Sequence, residues 1–303
     1  MVQLTMRPVY LALASTLWVG LSATEPATRP DTSGHLGPVL DTIIEVRQGD
    51  RVVFEGLSGE MSIRGWDRDA IEIAGDDDDS RVAVQRRGST IEIERDDRKG
   101  RSRDFEAYVR VPRWMDVEIR GRNLDLRLED LDSDVGVRTV SGDISIERVQ
   151  GALEVRTVEG EVDVMGAYGG VSVSSQSDDV WLRDIEGRVE AHSGSGDLTL
   201  IDVASTSVRA ETQDGDVTFS GTIDDGGVYR FFVHDGDADI AIPSSTNANV
   251  SVSTFDGDFH SDFPVRLDRF TGGRAFDFSI GSGGARIEIQ VFDGEINILE
   301  RDR

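Results

Sequence analysis

An 18-residue pattern that repeats between Val135 and Ala167 constrains this chain more than any other feature of its sequence. Each copy holds two short runs in which apolar and polar residues alternate, joined by a turn at Gly142-Asp143 or Gly160-Glu161. The apolar positions are Val135, Val137, Val140, Ile144, Ile146 and Val149, then Leu153, Val155, Val158, Val162, Val164 and Ala167. Alternation of period two predicts β-strands. A repeat of fixed period predicts a solenoid, because one copy alone has too thin an apolar face to fold.

The same register continues along most of the chain after residue 50. Counting from the start of each first strand, apolar residues fall at offsets 0, 2, 9 and 11, often at 14, and in some copies at 5. Strict copies begin at Val117, Val135, Leu153, Val171, Val189, Val208, Tyr229 and Val250. Other copies begin at Val52, Ile71, Ile91, Leu267 and Ile287, which gives about 13 copies, most of them 18–21 residues long.

We therefore predict an all-β fold, a right-handed parallel β-solenoid whose coils stack about 4.8 Å apart. The odd spacing between offsets 2 and 9 would place the second run on the wrong face of a continuous strand, so the chain must turn between them. Glycine at offset 7 permits this turn, and the acid at offset 8 can hydrogen-bond its backbone. The same Gly-Asp pairs could close hairpins, so an antiparallel β meander or sandwich is the alternative.

Composition divides the chain into four segments. Residues 1–23 combine Arg7, an apolar run and the small residues Ser22 and Ala23, which is typical of a signal peptide. We expect a proline-containing linker over residues 24–42, the β-solenoid domain over 43–300 and a charged tail over 301–303. The sequence has no cysteine, so an exported form would carry neither disulfides nor a lipid on cysteine, and no transmembrane segment is expected in the mature form.

The chain is strongly acidic. It holds 58 Asp and Glu residues against 32 Lys and Arg residues, a formal net charge of −26. Such a surface repels phosphates, which argues against DNA or RNA as a partner. It suits cationic partners or surfaces bridged by divalent ions, and it is also the kind of surface with which a salt-adapted protein stays hydrated.

Repeats such as TVSGDISIERVQGALEVRTVEGEVDV are similar to those of the bacterial putative-adhesin family of exported proteins, which includes LiaG-like envelope proteins. The resemblance covers residues 43–300 and rests on Ser-Gly-Asp between two valine-rich strands and on a glycine that opens the next coil. It implies a β-solenoid-like domain at the cell envelope or outside the cell. It implies no catalytic residues, and a fold alone does not fix a function.

The turn acids are the most conspicuous candidate site. The motif Asp-Gly-Asp recurs at offsets 6 to 8, and stacked coils would place its carboxylates about 5 Å apart. The residues are Asp214, Asp216, Asp235, Asp237, Asp256 and Asp258, and a related turn is Asp293-Gly294-Glu295. Carboxylates this close favour a bridging cation, and oxygen ligands suit Ca²⁺. The alternative is a solvated corner in which each acid caps its own turn, because the nonapeptide calcium repeat is absent.

Outward aromatic and acidic residues give weaker signals. Trp181, at offset 10, is expected to point outward and could stack on a sugar ring, and Phe232 is outward by the same logic. His192, His234 and His260 fall at three different offsets and should not converge on a metal. Outward acid pairs such as Glu154 and Asp163 are scattered and suggest no cleavage site for polysaccharides.

We therefore expect an exported, non-enzymatic protein of the cell envelope or surface, an adhesin or binding scaffold built on a β-solenoid. Its partner would be an envelope or surface protein or a glycan, and it needs no cofactor, unless Ca²⁺ binds at the corner. The alternatives are an envelope-stress accessory protein and a polysaccharide-active β-helix enzyme.

Overall fold

The alternating segments are β-strands throughout a computed structural model that describes residues 35–36, 42–75, 82–95, 105–265, 267–270 and 275–301. The predicted signal peptide, most of the predicted linker and residues 302–303 lie outside the described residues. The strands are β1 His35–Leu36, β2 Thr42–Glu45, β3 Arg51–Trp66, β4 Ala70–Gly75, β5 Val82–Arg87, β6 Thr90–Arg95, β7 Phe105–Pro112, β8 Asp116–Leu131, β9 Val135–Arg138, β10 Ile144–Val149, β11 Leu153–Arg156, β12 Val162–Ala167, β13 Val171–Ser177, β14 Val180–Glu186, β15 Val189–Ser195, β16 Leu198–Asp214, β17 Val217–Asp235, β18 Ala238–Pro243, β19 Ala248–Asp256, β20 Phe259–Ser261, β21 Leu267–Phe270, β22 Ala275–Ile280, β23 Ala285–Asp293 and β24 Ile296–Arg301. No helix among these residues is long and apolar enough to cross a membrane.

The strands form two parallel stacks, and each coil contributes one strand to each stack. In the first stack Leu153 lies opposite Val135 and Val171, one period away on either side. In the second stack Ile144 lies in the same way between Leu126 and Val162. Like residues therefore lie over like residues and all of these side chains are buried, which confirms the predicted parallel β-solenoid.

Most corners between the two stacks carry a glycine at offset 7, and Gly160 shows its role. Its φ of 112° lies in the left-handed region. A Cβ atom on this residue would lie 2.2 Å from the carbonyl oxygen of Gly142, the equivalent residue of the preceding coil. At position 160 glycine is therefore favoured both by the backbone conformation and by the close approach of the neighbouring corner.

The interior of the corner differs from the prediction at offsets 4 and 5. Val140 and Val158, predicted as optional core residues at offset 5, are 51% and 37% exposed. In the coils from Val135 to Val208 the interior position is offset 4, which carries the buried residues Thr139, Thr157, Ser175, Ser193 and Thr212, whereas Leu57, at offset 5 of the coil of Val52, is buried as predicted. The physical reason is that the strand alternation runs on to offset 4 before the chain turns. Thr157 and Ser175 then donate their hydroxyl groups to carbonyl oxygens two residues later, which satisfies part of the corner backbone.

The coils do not stack in chain order at the two ends of the solenoid. In space the first strands begin, from one end to the other, at Ile91, Val52, Val117, Val135, Leu153, Val171, Val189, Val208, Tyr229, Ile287 and Val250. The described residues thus contain eleven parallel coils. The predicted copies at Ile71 and Leu267 are not coils.

Those two copies contribute antiparallel caps instead. At one end β5 pairs antiparallel with β6 and β4 with β7, and β1 and β2 pair antiparallel with β5 and β4. At the other end β22 pairs antiparallel with β19, and β21 with β22. The antiparallel pairing considered as the alternative therefore occurs, but at the ends, where it covers strand edges that would otherwise be unpaired.

Candidate binding surface

The turn acids form a hydrogen-bonded ladder along one corner of the solenoid. The Oδ1 atom of Asp197 accepts a bond of 2.8 Å from the backbone N–H of Asp216. Asp216 Oδ1 accepts in turn from the N–H of Asp237 at 2.8 Å, and Asp237 Oδ1 accepts from the N–H of Glu295 at 2.7 Å. The acid at offset 8 therefore stabilises the corner of the neighbouring coil rather than its own.

The expected stacking of the three Asp-Gly-Asp turns is wrong in one respect. The turn that contains Asp293 and Glu295 lies between the turn of Asp235 and that of Asp256, because β23 pairs with both β17 and β19. The described residues contain no group of three His, Asp or Glu side chains placed to hold a metal ion. The calcium corner of Asp214, Asp216, Asp235, Asp237, Asp256 and Asp258 stays a prediction.

Trp181 lies on the second stack, between Asp163 and Thr199 of the neighbouring coils, and its side chain is half-buried. Asp163 accepts a hydrogen bond of 2.5 Å from Arg183. Glu154, on the first stack, forms ion pairs with arginines of its own stack. The outward acids considered for cleavage of polysaccharides therefore lie on different stacks and are each paired with arginine.

An exposed row of rings, which sequence reasoning missed, lies beside the acid corner. We call it the aromatic ridge and define it as His234, Phe292 and Phe255. The ring centroids of His234 and Phe292 are 4.8 Å apart, and those of Phe292 and Phe255 are 4.7 Å apart with an interplanar angle of 1°. Phe292 is 47% exposed and Phe255 56% exposed. Phe232, 44% exposed, lines a shallow groove with Phe255 and Phe292.

The ridge follows from the two departures from the predicted fold. Offset 5 points outward, so the residue that precedes each Asp-Gly turn is presented to solvent. The coil of Ile287 is inserted between those of Tyr229 and Val250, which brings Phe292 between His234 and Phe255. The sequence signal for the ridge is a histidine or phenylalanine directly before three of the four Asp-Gly-acid turns, in the segments HDGD, FDGD and FDGE.

The electrostatics of the solenoid change along its length. At the coils that begin at Val117 and Val135 several outward charges form ion pairs. Arg148 donates to Asp130 at 2.7 Å and to Glu147 at 2.8 Å, and Arg138 donates to Glu118 at 3.0 Å. The hydrogen bond from the Arg148 guanidinium lowers the pKa of Asp130. The charge of these coils is therefore partly compensated.

The acids beside the aromatic ridge are not compensated in this way. Three of them, Asp235, Asp293 and Asp256, directly follow the ridge residues and lie in register on adjacent coils. The acids at offset 8 of the same turns add further negative charge. None of these carboxylates forms an ion pair with another described residue. The ridge is thus an apolar strip bordered by unpaired negative charge.

The chain matches one known family over most of its length. Residues 58–299 match Toastrack DUF4097, and no curated protein matches the chain. Three solved structures are similar to it. A putative cell adhesion protein from Clostridium sporogenes ATCC 15579 is 12% identical, with 88% of this chain and 100% of that chain covered and a TM-score of 0.25. A putative adhesin from Bacteroides fragilis NCTC 9343 is 13% identical, with 86% and 96% covered and a TM-score of 0.41. A putative lipid binding protein from Parabacteroides distasonis ATCC 8503 is 13% identical, with 86% and 97% covered and a TM-score of 0.35. The family match confirms the resemblance drawn from the repeats, and the chain belongs to the Toastrack DUF4097 family.

Proposed function

We propose that this protein is an exported, non-enzymatic binding scaffold of the cell envelope or surface, which holds its partner on the aromatic ridge. The observation that carries the proposal is the exposure of Phe255 and Phe292 of the ridge, with Phe232 in the groove beside them. Single exposed apolar residues are ordinary, but a contiguous apolar strip with a polar border is typical of an interaction site.

The solenoid suits this role for a physical reason. Its core is completed by the stacking of inward residues such as Ile289 and Val252, which are at most 1% exposed. Outward residues on the same strands take no part in that core. A binding surface can therefore be placed on any coil without loss of stability.

Export is proposed from the predicted signal peptide of residues 1–23. The test is expression of the full chain with a C-terminal tag, followed by cell fractionation and intact-mass measurement. A mature chain that begins at Thr24 in the envelope or medium would support export. An uncleaved chain retained in the cytoplasm would refute it.

Binding through the ridge is tested by sedimentation of the purified protein with envelope fragments. The variant Phe292→Ser should lose most of the bound fraction. The matched control is Val140→Ser, because Val140 occupies the same offset on a distant coil and is 51% exposed. Equal binding by both variants would refute the ridge as the binding surface. Incubation with polysaccharides tests the non-enzymatic part, and release of new reducing ends or unsaturated sugars would overturn it.

A further inference from the structure

We propose that the ridge binds a basic, partly apolar peptide segment of a partner protein, an inference that rests on the proposed function and names its partner by chemistry. The argument begins with the rings. The centroids of His234 and Phe255 lie 4.8 and 4.7 Å from that of Phe292, one ring on each side of it. The faces of Phe292 are therefore covered, and what it presents to solvent is its edge.

This geometry argues for a peptide over a sugar. Sugar rings bind aromatic side chains by stacking on an open face, which Phe292 does not offer. Ring edges and the groove formed with Phe232 instead suit aliphatic and aromatic side chains of an extended chain. Three coils span about 10 Å, roughly the length of three or four extended residues.

The charge beside the ridge selects basic residues within that peptide. The side chains of Asp235, Asp293 and Asp256 lie one coil apart from each other, and none is in an ion pair or a side-chain hydrogen bond with another described residue. Carboxylates at this spacing repel one another, and a cationic partner relieves that repulsion. Lysine and arginine can also lay their aliphatic stems along the rings while their charged groups reach the acids. Anionic lipids and nucleic acids would be repelled.

The first test uses fluorescein-labelled peptides and the purified full mature chain. The probe contains lysine and phenylalanine, and two matched peptides replace its lysines with glutamate or its phenylalanines with serine. We expect binding of the first peptide alone, weakened by added salt because the contact is partly electrostatic. Binding of the glutamate peptide, or equal binding of the serine peptide, would overturn the inference.

The second test separates the ridge from general charge. The variant Asp235→Asn/Asp293→Asn/Asp256→Asn should weaken binding of the lysine-phenylalanine peptide on the order of tenfold. These three side chains hold no corner hydrogen bond, so the fold should be kept, which a melting curve checks. Phe292→Ser should weaken binding to a similar degree.

The control removes the same amount of charge elsewhere. Glu159, Glu186 and Glu190 are exposed, and none is in an ion pair with a described residue. The triple variant with glutamine at these positions should bind the peptide within about twofold of the parent chain. Equal weakening by both triple variants would show that the peptide responds to net charge alone and would overturn the inference.

Failure of this inference and failure of the proposed function give different results. If Phe292→Ser abolishes binding to envelope fragments while the basic peptide does not bind, the scaffold function stands and the basic partner is wrong. If Phe292→Ser changes neither the binding to envelope fragments nor the binding of the basic peptide, the proposed function and this inference are both wrong.

Discussion

The spatial order of the last coils can be tested by disulfide cross-linking, because the sequence contains no cysteine. Arg230, Glu288 and Ser251 lie at the same offset on three adjacent coils, with Glu288 in the middle. We expect a disulfide in Arg230→Cys/Glu288→Cys and in Ser251→Cys/Glu288→Cys. We expect none in Arg230→Cys/Ser251→Cys, although Arg230 and Ser251 belong to consecutive copies in the sequence.

The expected difference follows from the strand spacing. Adjacent strands lie about 4.8 Å apart, so the Cα atoms of positions 230 and 288 are within the range of about 4.4–6.8 Å that a disulfide spans. Positions 230 and 251 are two coils apart, about 9.6 Å, which is beyond that range. The assay is mild oxidation of dilute protein, followed by cleavage at aspartate and mass measurement of the disulfide-linked peptides, because the replacement of Arg230 leaves positions 230 and 251 in one tryptic peptide.

A matched set from the central coils calibrates the measurement. Glu154, Ser172 and Glu190 occupy the equivalent offset on three coils that do stack in chain order. Cysteines at 154 and 172 should cross-link, and cysteines at 154 and 190 should not. Cross-linking of 230 with 251, without cross-linking of 230 with 288, would refute the inserted coil and the aromatic ridge with it.

Three further predictions concern the corners and the core. Gly160→Ala should cost about 2–5 kcal/mol in the free energy of unfolding, because strain at positive φ is joined by a backbone collision. Gly166→Ala should cost only about 1–2 kcal/mol, because its Cβ would have no described neighbour closer than 3.3 Å. Urea unfolding measures both costs, and equal costs would contradict the close approach of the corners. Ser193→Ala should stabilise the protein by about 1 kcal/mol, because the buried Ser193 hydroxyl has no hydrogen-bond partner among the described residues. Ser175→Ala should destabilise it by a similar amount, and opposite signs in thermal unfolding are the decisive result. Burial raises the pKa of Tyr229, so the stability that its neutral phenol contributes is present below the unfolded pKa of about 10 and is lost as pH rises towards the folded pKa. Urea unfolding at about pH 8 and about pH 11 should therefore show a larger fall for the parent chain than for Tyr229→Phe, and identical falls would argue against a buried phenol.

The central coils could be predicted from the sequence because every position there repeats. Val135, Leu153 and Val171 occupy one offset in three successive copies, and stacking them pairs the strands and closes the core at once. Local alternation, the glycine turn and the period all favour the same arrangement. The prediction was therefore confirmed for the part of the chain in which the pattern is strict.

The order of the end coils could not be predicted, and the reason is physical. The copies that begin at Val250 and Ile287 share apolar residues at offsets 0, 2, 5 and 9, so either can pair in register with the copy of Tyr229. Hydrophobic spacing fixes the register of a pair but does not fix the partner. The aromatic ridge depends on the partner, because in chain order the coil of Val250 would separate Phe292 from His234.

The inserted coils also account for how this solenoid ends. At one end the coil of β3 is paired on both sides, and the coil of Ile91 takes the outer position. At the other end the coil of β23 and β24 is paired on both sides, and the coil of Val250 takes the outer position. That outer coil is then covered by antiparallel strands. Detachment of the coil of β3, or of that of β23 and β24, therefore breaks two strand pairings in each stack rather than one. The same insertion places Phe292 between His234 and Phe255, which belong to two consecutive copies, so the ridge exists only once the coil of β23 and β24 is in place.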